Sequence, residues 1–305
     1  MLKALLKNSS PVIRLIVTLT VIVISLLVFV IIGLIFGFVI FKTNILNPEL
    51  LTNYDNPLSV HVLKYFQIVQ SIGLFVVPPF ILGYLFTGKS FDFLKLNNLA
   101  KPLSFILVPL LIISSVPLIN FLADINSHLV LPDFMSGIEQ WMKSSEENAA
   151  KITKIFLSAN GFGGLMLNVF MIALIPAVGE ELLFRGVLQN IFVKWTKNIH
   201  WGIFIAAFVF SFIHFQFYGF LPRIFLGIIF GYLYFWSKSL WLSMLGHFIN
   251  NGFAVVVSYF ASDQMMGDKI DTIGTTQQTI IFTILSTIIT FGIFYIIYKK
   301  EKGRL

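Results

Sequence analysis

The chain has 305 residues, 57% of them hydrophobic and only 11% charged, and its mean hydropathy is +0.89. Globular domains carry about 25% charged residues, so this composition excludes an ordinary soluble fold and points to an integral membrane protein. The net charge of +7 is no nucleic-acid footprint, since Lys and Arg of such proteins gather in cytoplasmic loops, and the lack of cysteine excludes disulfides, thiolate metal sites and a Cys nucleophile.

A hydrocarbon core takes about 20 apolar residues per helix. By that measure the sequence predicts an all-α, polytopic transmembrane bundle of about eight spans, at 12–41, 62–87, 103–123, 164–193, 201–218, 222–237, 239–260 and 276–298. The first follows Lys3 and Lys7 in the manner of a signal peptide. Its apolar run is too long for one and ends without a small-residue cleavage site, so it reads as a retained span. The sixth is short.

Basic residues sort the spans. Lys3, Lys7 and Arg14, then Lys89, Lys95 and Lys101, Lys194 and Lys197, Lys238, and finally Lys299, Lys300, Lys302 and Arg304 fall on one side if the spans alternate. This predicts both termini in the cytoplasm. The other side holds a loop at 43–61 and an insertion at 124–163. Within the insertion Phe134, Ile138, Trp141, Met142, Ile152, Ile155 and Phe156 recur at helical spacing. They predict one or two interfacial amphipathic helices, with a substrate-gating lid as the alternative. Residues 261–275 read as a polar loop. The chain thus divides into N-terminal spans with the insertion (1–163), a helical core (164–260), and a last span with a basic tail (261–305).

Pro78, Pro79, Pro109, Pro117 and Pro176 lie within spans, where each removes a helix hydrogen bond. Gly33 with Gly37, and Gly227 with Gly231, match small-xxx-small helix packing.

The chemistry centres on Pro176-Ala-Val-Gly-Glu180-Glu181-Leu-Leu-Phe-Arg185. A charge at the bilayer centre costs roughly 2.5–3.5 kcal/mol on insertion scales, and such residues normally face a bundle interior or a wet cavity. His61, His128 and His200 sit at span edges or in a loop, whereas His214 and His247 fall inside spans. At 1.5 Å per residue Glu180 lies about 21 Å from Lys194, His214 about 21 Å from His200, and His247 and Asn251 about 13 and 20 Å from Lys238. All four share a middle depth.

Glu181 and Arg185 are four apart with the acid N-terminal, the favourable order for an ion pair on one face. Glu180 points about 100° away, free to meet the histidines. It is a candidate general base on a water held with His214, with His247 and Asn251 as donors to an oxyanion. Alternatively Glu180, His214 and His247 would supply three ligands to a catalytic Zn²⁺. The residues leave metal against no metal open.

Glu-Glu-x-x-x-Arg, then Phe-x-x-x-His, then His-x-x-x-Asn, ordered on successive apolar helices from about Gly164 to Tyr259, resembles the CAAX protease and bacteriocin-processing (CPBP) family. That family includes the type II CAAX-prenyl endopeptidase and bacterial Abi-type membrane proteins. The resemblance implies an all-helical intramembrane endopeptidase with Glu180, His214, His247 and Asn251 at the catalytic positions and Glu181 and Arg185 completing the first motif. It also implies a glutamate-activated water rather than zinc, no required cofactor, and a membrane-anchored, CAAX-type peptide or protein substrate. The expected setting is a bacterial plasma membrane, with the lipid bilayer as partner and no nucleic acid. Two rival readings stand beside it: a non-catalytic scaffold or bacteriocin-immunity factor, and a transporter or proton pathway, which would also hold Glu, His and Arg at mid-depth. Arg223 reads as an interfacial, snorkelling side chain, with a substrate carboxylate as its alternative partner.

Overall fold

The apolar runs fold as helices, and no strand occurs among the described residues. The computed structural model describes residues 3–158, 161–260, 270 and 272–304. In hydrocarbon every backbone N–H and C=O must be satisfied internally, which leaves a long uncharged run little alternative to helix. In order these are α1 (Pro11–Phe41), α2 (Pro57–Thr87), α3 (Pro102–Ser114), α4 (Val116–Ser127), α5 (Ser136–Leu157) and α6 (Gly161–Thr196). They are followed by α7 (Ile199–Phe212), α8 (Phe220–Ser237), α9 (Leu240–Phe260) and α10 (Ile280–Glu301).

The chain is an integral membrane protein by these helices. Six of the apolar segments are long enough to cross a bilayer, seven if α3 and α4 form one span bent by 43°. The shorter apolar α7 brings the apolar segments to the expected eight. Its boundary corrects the fifth expected span: α7 ends at Phe212, not 218. Fourteen residues rise about 21 Å, short of a 30 Å hydrocarbon core. The chain then turns through Phe215, at a left-handed φ of 52°, and Gly219 before α8 begins. His214 therefore sits in the connection between two helices rather than inside one. The sixth span, with 18 residues, is the longer of the pair.

Pro117 departs from the expectation that each proline removes a helix hydrogen bond. It stands in the first turn of α4, just beyond the bend, where its missing N–H costs no hydrogen bond. Before Pro78 and Pro79, and before Pro176, the helix widens into π turns at Ile72–Val76 and Val169–Leu174. A third π turn spans Phe184–Gln189. π turns inside α-helices shift the register of the backbone ladder and concentrate at functional sites.

Helix α6 is the axis of the bundle. One apolar cluster joins it to α2, α7 and the start of α9 through Leu82, Phe86, Leu182, Phe184, Val187, Phe210 and Leu240. A second joins α3, α8, α9 and α10 through Val108, Leu111, Phe230, Leu242 and Ile297. Helix α1 lies outside, and both its glycines serve close approach: a Cβ on Gly33 would stand 2.8 Å from Val69, and one on Gly37 2.6 Å from Ile45. The insertion forms one amphipathic helix, α5. The polar loop expected at 261–275 falls largely outside the described residues.

Candidate active site

The site grows from one turn of α6. Glu181 and Arg185 form the expected i,i+4 ion pair, Oε1 to Nη1 at 3.1 Å, with exposures of 0% and 1%. Arg185 also donates from Nη2 to the Gly227 carbonyl at 3.2 Å, and its guanidinium lies 4.9 Å from the Phe210 ring centre and 5.6 Å from that of Phe230. One turn further, Gln189 donates to the Gly231 carbonyl at 3.2 Å. The pairs Arg185/Gln189 and Gly227/Gly231 are both four apart, so the two helices match in register. A Cβ on Gly227 would lie 2.9 Å from the Ala207 methyl. The small-xxx-small motif of α8 therefore does more than pack: it bares two carbonyls to the polar face of α6.

His247, on α9, reaches both acids. Its Nδ1 is 3.0 Å from Glu181 Oε1, and its Nε2 is 3.8 Å from Glu180 Oε2. This corrects the expected division of labour, in which Glu180 alone met the histidines. The imidazole lies between the two faces, held flat against Phe230 (5.4 Å between centroids, 15°) and edge-on to Phe210. Glu181 thus both neutralises Arg185 and fixes the ring, leaving Nε2 toward Glu180.

His214 is oriented by its own helix end. Its Nδ1 is 2.6 Å from the Phe210 carbonyl, which can only accept, so Nδ1 carries the hydrogen and Nε2 keeps its lone pair. Asn251 is tied to α6 through the proline. Pro176 has no N–H for the carbonyl of Ile172, and Asn251 Nδ2 donates to that carbonyl instead, at 3.2 Å. The amide has a second N–H, so this bond positions Asn251 without exhausting it.

Glu180, His214, His247 and Asn251 all line one cavity of about 450 Å³. Glu181 and Arg185 do not reach it and stand behind His247. Helix α5 supplies part of its wall through Thr153, Phe156 and Leu157. Trp141 of the same helix packs against Phe215 and Phe217, and Glu146 accepts from the Tyr218 N–H at 3.2 Å. The insertion is therefore a cover over the cavity.

Among the described residues, no three His, Cys, Asp or Glu side chains are arranged to hold a metal ion. The expected zinc triad of Glu180, His214 and His247 is not assembled among the described residues, and no step below is routed through a metal.

Five polar residues of the cavity lie beyond the sequence-derived set: Gln67, Thr153, Gln216, Arg223 and Asn250. Gln67, a polar side chain inside a span, was the legible signal among them. Arg223 does not snorkel; it turns inward to Gln216.

Residues 162–253 match the family model described as type II CAAX prenyl endopeptidase Rce1-like. That stretch holds all six residues named above and is consistent with the CPBP family. A curated relative, an uncharacterized protein designated YpbD from Bacillus subtilis (strain 168), is 29% identical over 108 residues. The match covers 34% of this chain and 51% of the relative, so the chain spans about half the length of the curated relative it matches. No solved structure matches.

Proposed function

We propose that this protein is an intramembrane endopeptidase that hydrolyses a peptide bond of a membrane-anchored substrate, CAAX-type by its family likeness, with a glutamate-activated water. The observation that carries the reading is His247, held by Glu181 at 3.0 Å and facing Glu180 at 3.8 Å on the wall of a covered cavity. The likeness of residues 162–253 to Rce1-like peptidases supports the activity, and the bacterial source of the relative is in keeping with a bacterial plasma membrane.

In the proposed resting state Glu181 pairs with Arg185, Glu180 is a carboxylate, and His247 carries a hydrogen on each ring nitrogen, one toward each glutamate. In that state Nε2 of His247 carries a hydrogen and can donate.

Water held between Glu180 and Nε2 of His214 gives its proton to Glu180 as its oxygen attacks the scissile carbonyl. The resulting oxyanion accepts hydrogen bonds from His247 Nε2 and the second N–H of Asn251. Collapse breaks the C–N bond, and the leaving amine takes the proton back from Glu180. Helix α5 and the aromatic walls narrow the cavity, and contacts in such low-dielectric surroundings are stronger than in water.

The test is cleavage of quenched fluorescent peptides, prenylated and plain, by detergent-purified protein with and without a strong chelator. Cleavage that survives chelation supports the reading. Loss restored by Zn²⁺ replaces it with a metallopeptidase, and a folded protein that cleaves neither peptide moves the scaffold reading ahead.

A further inference from the structure

Two arginines stand at this site, and of these only Arg185 forms an ion pair among the described residues. Arg185 has Glu181, two flanking rings and a carbonyl. Arg223, in the first turns of α8, lines the cavity beside Glu180, His214 and His247. Its Nη1 donates to Gln216 Oε1 at 2.7 Å, its Nη2 donates to the Gln216 carbonyl, and its buried Nε has no partner. Gly219 makes room for it: a Cβ there would stand 2.6 Å from Nη2. Among the described residues no carboxylate forms an ion pair with it. Glu146 and Glu180 lie within its electrostatic reach, yet Glu146 accepts from Tyr218 N and Glu180 faces His247.

A guanidinium held in a membrane cavity by neutral acceptors, with no carboxylate in contact with it, gains from a ligand that brings a counter-charge within hydrogen-bond reach. Its planar fork matches a carboxylate, two parallel N–H donors to two oxygens. We infer that Arg223, steadied by Gln216, is a carboxylate-binding subsite that anchors the acidic end of the substrate and so sets which bond lies before Glu180. The cleavage step rests on the endopeptidase reading above; binding of the carboxylate does not. The source is either a free C-terminal α-carboxylate or an Asp or Glu side chain, and the subsite separates substrates by charge at one place.

Three lipid-anchored fluorescent peptides of one sequence distinguish these sources: free acid, C-terminal carboxamide, and carboxamide with an added Glu. Binding to the full-length protein in detergent is read by anisotropy, and cleavage by kcat/KM. The expected result is that the acid is preferred over the carboxamide by about 10- to 100-fold, the range of a hydrogen bond to a charged group, chiefly through KM. R223Q removes the preference and R223K restores part of it. Recovery of affinity by the added Glu alone moves the source to a side chain. Equal binding of acid and carboxamide by the wild type overturns the subsite, and this comparison needs no variant to fold. A binding preference abolished by R223Q with no cleavage of any peptide would sustain the subsite while the endopeptidase reading fails.

Discussion

Helices α1 and α6 are both long and apolar, yet they are built on opposite rules. In the most apolar window of α1 only 11% of residues are buried, against 33% in α6. The inward face of α1 is Arg14, Thr18, Ser25, Gly33 and Gly37, while Ile16, Val23, Leu27, Ile31 and Ile35 point outward. Lipid is as apolar as Leu, so there is no gain in hiding Leu from it; small and polar residues mark the inside. In α6 every residue from Glu181 to Gln189 is buried. Arg14 sits near a helix start, bonded to the Lys7 carbonyl at 2.7 Å and lying over Phe86. Arg185 is deep in the bundle and needs a carboxylate. The contrast teaches that apolarity locates the spans, whereas the function resides where charge is buried and answered by charge.

The comparison breaks first at Arg185. Arg185→Ala removes the guanidinium and leaves Glu180 and Glu181 buried with His247 alone between them, so chemical unfolding in detergent should show a loss of about 3–5 kcal/mol. Arg14→Ala, which breaks bonds to carbonyls and the Ser9 hydroxyl and a contact with the Phe86 ring but no ion pair, should cost distinctly less. The double variant E181M/R185M should recover most of the loss, because no charge is then left unpaired. If R185A is as benign as R14A, the two helices do not differ as described.

Glycines sharpen the contrast at a smaller scale. Gly231→Ala puts a Cβ 2.7 Å from Ile203 and 2.9 Å from Gln189 Oε1, and should destabilise by about 1–3 kcal/mol through overpacking. Gly292→Ala on α10 meets nothing within 4 Å and should be neutral or stabilising by up to about 1 kcal/mol. Equal effects at both positions would contradict the register match between α6 and α8.

Sidedness needs no change in stability at all. The chain has no cysteine, so single cysteines label without background. Ser144→Cys on the exposed face of α5 and Lys197→Cys beyond α6 should react with a membrane-impermeant thiol reagent from opposite faces, Lys197→Cys from the cytoplasm. Labelling from the same face would refute the alternation of basic loops and place the covered mouth of the cavity on the wrong side.

Much of this was legible in the residues. The helices follow from apolar run length, and the pairing of Glu181 with Arg185 from their spacing. The lining of one cavity by Glu180, His214, His247 and Asn251 agrees with their shared depth. What the sequence hid were contacts between elements far apart in the chain. Helical period separates Glu180 from Glu181 by 100°, but it does not say that an imidazole from α9 fits between them. The end of α7 at Phe212 depends on where the chain can turn, which apolar Phe-rich residues do not announce. Arg223 was misread because an arginine beside Pro222 at a helix start looks interfacial until Gln216 is seen against it.

The central claim is that the two adjacent glutamates do different work: Glu180 activates water, and Glu181 holds His247 and Arg185. The measurement that tests it most directly is peptide cleavage and thermal unfolding on the same preparations of Glu180→Gln and Glu181→Gln. The account predicts that E180Q loses about 10²- to 10⁴-fold in kcat/KM while its Tm falls by less than that of E181Q. E181Q should lose activity and stability together. An E180Q protein that still cleaves at the wild-type rate, or an E181Q protein of wild-type stability, would contradict it.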